Sequence, residues 1–339
     1  MKRQLITLSE LADYDNLLTA TWKAAKGKQH RPDVQHFITQ LDTSLQQLSH
    51  AILQGNVPAG RYRQFYIHDP KLRLITAACF EDRVLHHAIM NLAEPVFERS
   101  LMTHTYACRP NKGVHKAVQQ VQKNLRRFSW FVKVDIQRYF PSIDHAILFE
   151  LLSKRFKSEG FLNLLWRIID SYHTAANKGL PIGSLTSQHF ANYYLDGADR
   201  FLSNHSQVGA VVRYMDDTLW WCDDKTTAKH VLNQLSYYLE TQRLLQLKAN
   251  VQINRSERGV TYCGYRILPA TFRLTPRKKR RYRQLRQRWE YLWQTGEINS
   301  LKLQQAYDAV HAVTLHTDSL AWRKHNLKLH PSCYTTDTG

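Results

Sequence analysis

The feature that most constrains the fold is a set of acidic residues embedded in apolar, strand-forming segments. Asp135 stands alone in WFVKVDI, and Asp216 and Asp217 are adjacent in VVRYMDDTLWW, about 80 residues further along. A carboxylate in an apolar strand is costly unless a partner or a metal ion meets it. Two strands joined at an Asp-Asp turn predict a hairpin that presents its acids at one edge of a sheet. An ordinary turn, in which Asp is common, explains the Asp-Asp pair alone but not Asp135.

Acids brought together from separate strands indicate a particular chemistry. Phosphoryl transfer from a nucleoside triphosphate uses two divalent cations held about 4 Å apart. Magnesium prefers carboxylate ligands, which the protein must supply from separate strands. The pattern therefore predicts that Asp135, Asp216 and Asp217 hold two Mg²⁺ ions.

The charge balance indicates a polyanionic partner. Among 339 residues, 47 are Lys or Arg and 28 are Asp or Glu, which gives a formal net charge of +19. A phosphate backbone is the usual partner of such a basic protein, although solubility or an anionic membrane surface are alternatives. The five cysteines form no C-x-x-C pair, which argues against a zinc ribbon or a disulfide framework. No apolar run approaches the roughly 18 residues that span a bilayer, and no signal peptide is evident, so we expect a cytoplasmic protein without membrane contact.

The pattern of apolar residues, turns and caps predicts a mixed fold. Helices are predicted in the N-terminal 55 residues, at 81–128 with a break at 109–113, and at 144–173, 188–203 and 226–243. A hairpin is predicted at 61–80, two strands at 210–222, and a strand pair around TYCGYRI. A basic helix should begin at Pro276 after Thr275 as its N-cap. The fold class is thus α+β, with an antiparallel sheet at the centre.

Four ordered motifs resemble the reverse transcriptase family over roughly residues 60–270: VDIQRYFPSID, LPIGSLTSQHFANYYLD, RYMDD and YCGYRI. The resemblance implies a right-hand polymerase fold with fingers, palm and a short helical thumb. It also implies dNTP substrates, with Asp135 and Asp216 as principal metal ligands, Asp217 in support and Ile136 at the same metal site. The implied domains are an N-terminal helical extension (1–55), fingers (56–128), palm with part of the fingers at about 145–185 (129–268), and thumb with a C-terminal tail (269–339).

The resemblance also implies residues that contact the incoming nucleotide. Phe140 takes the position of an aromatic steric gate against the 2′ hydroxyl. We expect Tyr139 and Phe140 to point to opposite faces of a strand, and one of them to belong to the core. Lys71 and Arg73 would clamp the triphosphate, unless they are only exposed cations on a hairpin tip. Ile182 and Gln188 are expected beside the nucleotide; the alternative for Ile182 is packing under the fingers.

Further residues are expected to contact nucleic acid or to assist the chemistry. In YACRPNKG, Arg109, Asn111 and Lys112 match a template-contacting block, and a solvated basic turn is the alternative. The main chain of Gly264 and Tyr265 would grip the primer terminus, and Lys248 is a candidate general acid for pyrophosphate. In the basic helix, Arg277, Lys278 and Arg281 are expected to track the duplex backbone rather than form only a solvated face. Its apolar side chains are expected to face the core: Leu285, Trp289, Leu292 and Trp293.

One motif favours a subfamily. The I-G-x-x-x-S-Q form at 182–188, with the Y-A-C-R-P block, resembles reverse transcriptases of diversity-generating retroelements. Such enzymes copy a template-repeat RNA with errors at adenines, and the cDNA rewrites a variable gene. The resemblance implies template RNA, cDNA and a basic helical accessory protein that forms a pentamer as partners. The alternatives are a retron-like, group II intron-like or phage-defence reverse transcriptase, or a non-catalytic, maturase-like RNA-binding protein. An RNA-dependent RNA polymerase is disfavoured by Phe140.

Overall fold

Helices and antiparallel sheets make up the chain in the computed structural model, which describes residues 2–57, 59–68 and 72–332. The N-terminal elements are α1 (Leu8–Leu11), α2 (Tyr14–Ala25), α3 (Pro32–Thr39), α4 (Leu41–Leu53), β1 (Tyr62–His68), β2 (Leu72–Ala78), α5 (Phe80–Ser100) and α6 (Val114–Arg127). The central elements are β3 (Trp130–Val134), α7 (Tyr139–Ser142), α8 (His145–Ser153), α9 (Glu159–Asp170), α10 (Leu185–Tyr194), α11 (Asp196–Asn204), β4 (Ala210–Tyr214), β5 (Asp217–Cys222) and α12 (Lys225–Arg243). The C-terminal elements are β6 (Gln252–Arg255), β7 (Val260–Tyr262), β8 (Tyr265–Ile267), β9 (Phe272–Leu274), α13 (Pro276–Gln294), α14 (Ser300–Ala312) and α15 (Leu320–Leu329).

The central sheet has four antiparallel strands in the order β4-β5-β3-β6. Strands β3, β4 and β5 bury side chains on both faces of the sheet, whereas β6 stays partly exposed. Successive side chains of a strand point to opposite sides, so each of these strands contributes to two cores. Val132 and Trp220 belong to the main core, in which α12 packs on the sheet, whereas Phe131 and Trp221 belong to a second core with α6 and the small sheet β7-β8-β9. Packing on both faces makes this sheet a firm support for residues at its edge.

The N-terminal helices are part of the main core. As predicted, residues 1–55 are largely helical, and α2 packs along α5. Leu17 and Leu45 are fully buried in the same core as Val84 of α5. At the chain start, the amide of Gln4 donates to the carbonyl of Arg155 at 2.7 Å. The segment is therefore fastened to the centre of the molecule rather than appended to it.

The C-terminal helices begin as the sequence predicts but bury different side chains. Thr275 caps α13 by accepting a hydrogen bond from the amide of Lys278, and Pro276 is its first residue. The apolar side chains expected on the core side of α13 are only half-buried, at Leu285, Trp289, Leu292 and Trp293. Arg286 and Glu290 are buried instead, with 3.5 Å between Nη1 and Oε1. A buried charged pair of this kind is held by its hydrogen bonds, since Arg286 also donates to the His330 carbonyl and Glu290 accepts from Tyr307.

Among the described residues, no helix is both long enough and apolar enough to cross a lipid bilayer.

Candidate active site

The three predicted acids meet at one edge of the central sheet. In the β3–β5 pairing, Val134 lies opposite Thr218, so one further step of the antiparallel register sets Asp135 against Asp217. Asp216 lies in the tight turn between β4 and β5, just after Met215, whose φ of 58° is left-handed. Asp135 follows the last residue of β3 rather than lying within the strand. The fold thus brings the three residues to the same end of the sheet, and their role as metal ligands stays a prediction.

Arg213 fixes the conformation of this turn. Its guanidinium is buried and donates to Asp199 at 2.7 and 2.6 Å, and to the side chain and main chain of Asn192. It also donates to the carbonyl of Met215 at 2.8 Å, directly before the Asp pair. Sequence reasoning missed this residue. A lone Arg in the apolar segment AVVRYM was the available signal, because a buried Arg needs a partner.

Burial disfavours the charged form of two of the carboxyls. Burial raises the pKa of Asp216 to about 6, with the neighbouring Asp135 carboxylate adding to the effect. Burial raises the pKa of Asp217 to about 7, although Lys133 acts in the opposite direction. Lys133 Nζ lies 3.3 Å from Asp217 Oδ2, and Lys248 Nζ forms an ion pair with Asp135 Oδ2. The structure thus places Lys248 within the site. Lys133 was missed, although its position two residues before Asp135 puts it on the same face of β3.

The donor atoms at this edge suit a hard divalent cation. Asp217 Oδ1 is buried without a hydrogen-bond partner among the described residues, and oxygen ligands are those that Mg²⁺ prefers. The Ile136 side chain is buried, so this residue can contribute only its main-chain carbonyl. The three carboxylates do not all lie within 4.8 Å of one another. Asp217 Oδ2 forms its ion pair with Lys133. The residues fit a divalent cation in their chemistry, and their carboxylates would have to move closer together to share one.

The steric-gate candidate lies on a helical turn that begins four residues after Asp135. Tyr139 and Phe140 belong to α7, so the expectation that they alternate along a strand is wrong. Tyr139 is buried and donates its hydroxyl hydrogen bond to the Ala191 carbonyl, whereas Phe140 stays partly exposed. The Phe140 carbonyl accepts from the amide of Leu180 at 2.9 Å, which links α7 to the L-P-I-G segment. Tyr139 is therefore the core residue of the pair.

The L-P-I-G segment is tied to the β1–β2 hairpin. The Thr76 amide donates to the Ile182 carbonyl at 2.8 Å. Gly183 has a φ of 120°, and a Cβ there would lie 2.9 Å from Ile75 Cγ2, so only glycine suits this approach. Arg73 is exposed on β2, and Lys71 lies outside the described residues. Ile182 itself is half-buried beside the hairpin.

The Y-A-C-R-P block forms a loop that is fastened to neighbouring helices. All five N–H groups of Arg109 are engaged within the protein: with both carboxylate oxygens and the carbonyl of Glu98, and with the carbonyls of Met102 and Thr105. Its expected template contact stays a prediction. Lys112 donates to the Thr103 carbonyl, while Asn111 is exposed with a φ of 56°.

Gln188, in the first turn of α10, lies under the same loop. Its side-chain oxygen accepts a hydrogen bond from the Cys108 thiol, with 3.4 Å between Sγ and Oε1. This contact shows how the block is held to α10, whereas the expected contact of Gln188 with the nucleotide stays a prediction.

The expected primer grip is a close contact between β8 and α13. Lys278 Nζ lies 3.3 Å from the ring centroid of buried Tyr265, a cation–π contact. Burial lowers the pKa of Lys278 to about 8. Gly264 has a φ of 79°, and a Cβ there would lie 2.6 Å from Lys278 Cε. Arg277 and Arg281 are exposed on the same helix. Lys278 thus covers Tyr265, and the two arginines face outward.

An antiparallel sheet that gathers carboxylates from neighbouring strands at one edge is the kind of site that two-metal phosphoryl transfer uses. Residues 67–267 match the model of the family described as reverse transcriptase (RNA-dependent DNA polymerase). The chain belongs to the reverse transcriptase family.

Similar proteins include several encoded in introns. The chain is 29% identical over 176 residues to protein YkfC of Escherichia coli K12, and the aligned region covers 48% of this chain and 46% of YkfC. It is 26% identical over 150 residues to the group II intron-encoded protein LtrA of Lactococcus lactis, covering 41% of this chain and 25% of LtrA. The structure of a Candida tropicalis telomerase, in complex with a fragment of telomeric RNA, overlaps 80% of this chain and 55% of that one at 13% identity and a TM-score of 0.45. The chain spans less than half the length of the two curated relatives.

Proposed function

We propose that this chain is an RNA-directed DNA polymerase that extends a primer with dNTPs. The meeting of Asp135, Asp216 and Asp217 at the sheet edge carries the proposal, because Asp216 and Asp217 are half-buried and have raised pKa values. The central sheet then corresponds to the palm, the β1–β2 hairpin to part of the fingers, and α13 to α15 to the thumb. Mg²⁺ bound here would activate the primer 3′ oxygen and neutralise the leaving pyrophosphate.

The surrounding residues have distinct roles in this proposal. Asp135 and Asp216 hold the metals, Asp217 supports them, and Arg213 positions the turn through Met215. Lys248 is paired with Asp135 and would donate a proton to departing pyrophosphate. Phe140 would collide with a 2′ hydroxyl, and Arg73 would contact the triphosphate.

Primer extension tests this function. The protein should extend a DNA primer on an RNA template with dNTPs, in a reaction that depends on added Mg²⁺ and uses rNTPs poorly. Binding of RNA without extension would favour the maturase-like alternative. Equal use of rNTPs and dNTPs would indicate an RNA polymerase instead.

We further propose that the enzyme serves a diversity-generating retroelement, copying a template-repeat RNA into cDNA with errors at adenines. The I-G-x-x-x-S-Q form at 182–188 supports this role. The main chain of Ile182 is fixed by Thr76, and its apolar side chain can neither donate nor accept a hydrogen bond. A basic helical accessory protein that forms a pentamer would be the partner. The likeness to LtrA favours a group II intron-like role as the second candidate.

The Ile182→Gln variant tests the mutagenic role. Hydrogen-bonded readout discriminates better than apolar contact, so Gln should partly restore accuracy, while Ile182→Val, which stays apolar, should not. Deep sequencing of cDNA made from a mixed-sequence RNA, with the accessory protein present, measures the errors. Wild-type error rates at adenine no higher than at other bases would remove the retroelement role and leave the polymerase intact.

A further inference from the structure

We propose that His145, Asp170 and His173 form a second metal site, for Zn²⁺, that fastens the segment after α9 to the start of α8. Each of the three residues offers a ligand atom, and these atoms all lie within 4.8 Å of one another. Asp170 ends α9, His173 follows three residues later, and His145 begins α8. Three elements of the chain thus converge on one point, with ligand residues that differ from the aspartates of the polymerase site.

His145 has a nitrogen prepared to bind a metal. Its side chain is fully buried, and its Nε2 lies 2.7 Å from the carbonyl oxygen of Gly179. A carbonyl only accepts, so Nε2 carries the proton and the lone pair of the neutral ring lies on Nδ1. Nδ1 is buried and has no hydrogen-bond partner among the described residues. Metal-binding histidines usually donate their other N–H to a carbonyl or carboxylate, which fixes the ring as Gly179 does here.

The charge state of His145 agrees with this role. Burial lowers the pKa of His145 below its ordinary value, and the nearby His173 ring acts in the same direction. A neutral imidazole is the form that binds metals, and it would be present at neutral pH.

The geometry of the other two ligands is close to what zinc needs. His173 Nε2 lies 3.4 Å from Asp170 Oδ1. In a tetrahedral site with bonds of about 2.0–2.1 Å, neighbouring ligand atoms lie about 3.3–3.4 Å apart, so this pair is already spaced correctly. The two side chains are 42% and 48% exposed, which leaves them room to close on His145.

The ligand set favours zinc over the cation of the polymerase site. Two imidazoles and one carboxylate are typical zinc ligands, whereas Mg²⁺ prefers oxygen alone. A fourth position would hold water, because the site is open to solvent on the side of Asp170 and His173. Without a metal, the same residues would amount to an exposed ion pair beside a buried histidine that binds water.

The site would brace the segment that leads to Ile182. After His173, the Thr174 hydroxyl donates to the Pro141 carbonyl at 2.7 Å. The amides of Gly179 and Leu180 donate to the carbonyls of Ile143 and Phe140 at 2.8 and 2.9 Å. A metal that joins α9, α8 and this segment would therefore hold the main chain beside Phe140 in place.

Zinc binding by the metal-stripped full chain tests the proposal. Excess Mg²⁺ is kept present, so that the aspartates of the polymerase site are occupied. The wild type should bind one Zn²⁺ with nitrogen and oxygen neighbours at about 2.0–2.2 Å by X-ray absorption. His173→Ala and Asp170→Ala should each weaken Zn²⁺ binding by at least tenfold, because each removes one ligand. Both side chains are exposed, so we expect both variants to fold. His30→Ala, at an exposed histidine elsewhere, should bind as the wild type does.

Amide hydrogen exchange supplies a second readout that does not involve catalysis. Zn²⁺ should slow exchange at Gly179 and Leu180 in the wild type and in His30→Ala, but not in His173→Ala. Equal Zn²⁺ affinity in the wild type and His173→Ala, or no Zn²⁺ retained by the wild type, would overturn the proposal. Either result would leave the polymerase function untouched.

Discussion

Asp217 is held in surroundings that leave its charge only partly balanced. Burial raises its pKa to about 7 even though Lys133 Nζ is 3.3 Å away, and Oδ1 has no hydrogen-bond partner among the described residues. Asp216 has a pKa raised to about 6 by burial and by Asp135. A bound cation would stabilise the ionised forms of Asp216 and Asp217, because it supplies positive charge next to both carboxylates.

The effect of Mg²⁺ on stability should therefore depend on pH. A carboxyl with a raised folded-state pKa binds more protons in the folded than in the unfolded protein, so metal-free stability falls as pH rises through about 6 to 7. Mg²⁺ binding needs the ionised form and should be weaker by about tenfold per pH unit below this range. We expect Mg²⁺ to raise the Tm more at pH 8 than at pH 5.5.

Thermal unfolding with and without Mg²⁺ at the two pH values measures this difference. Asp216→Asn, which cannot ionise, should show a smaller Mg²⁺ effect at pH 8. An equal Tm increase at both pH values in the wild type would contradict the titration of these carboxyls.

Phe140 should set the preference for deoxynucleotides. It is the partly exposed member of the Tyr139–Phe140 pair, so Phe140→Ala would open space under the sugar. Loss of a steric clash of a few kcal/mol corresponds to a fall in dNTP-over-rNTP discrimination on the order of 10²-fold. Single-nucleotide incorporation measures it, with Tyr139→Phe as the control in the core. Unchanged discrimination in Phe140→Ala would place the gate elsewhere.

At the scale of elements, the β1–β2 hairpin contacts the L-P-I-G segment. The Thr76 amide bonds to Ile182, and Gly183 packs against Ile75 and the Thr76 carbonyl, 2.9 and 3.3 Å from an added Cβ. The hairpin that carries Arg73 is thereby held against the segment that follows Leu180, whose amide bonds to Phe140. This contact therefore connects Arg73, proposed to contact the triphosphate, with Ile182, proposed to lie beside the nucleotide.

Gly183→Ala should loosen that contact. The methyl group meets Ile75 and the main chain of Thr76 at a φ of 120°, where strain in a non-glycine residue costs about 1–3 kcal/mol. We expect a higher KM for dNTPs and a lower Tm. Gly55→Ala is a matched control, because Gly55 has a φ of 65° with no atom within 4 Å of an added Cβ. Equal effects of the two substitutions would mean that strain, and not the contact, matters.

The sequence predicted the elements better than the partners of buried charges. The apolar segments around Asp135 and Asp216 and the Thr275 cap are local signals, so the sheet edge and the start of α13 could be found. Arg213 and Asp199 belong to different elements, and their ion pair forms only when α11 packs on β4. In α13, Arg286 is buried where it pairs with Glu290, and the spacing of apolar residues along the helix does not reveal this pair.

At the scale of the whole molecule, the site depends on a sheet that is covered on both faces. One face packs on α12 and the other on α6 and the small sheet, so the β4–β5 turn has little freedom to move. The net charge of +19 is a property of the whole chain, and it favours nucleic acid as the partner. Removing one carboxylate at the edge should therefore affect chemistry far more than RNA binding.

Single-turnover primer extension by Asp216→Ala tests the central claim most directly. Asp223→Ala is the matched control, because Asp223 is an exposed acid just past the far end of the same hairpin. We expect Asp216→Ala to lose extension by at least 10³-fold, on the order of 4 kcal/mol or more of transition-state stabilisation. Both variants should bind RNA as the wild type does, and Asp223→Ala should extend normally. Extension by Asp216→Ala within tenfold of the wild type would contradict the claim that this carboxylate holds the catalytic metal.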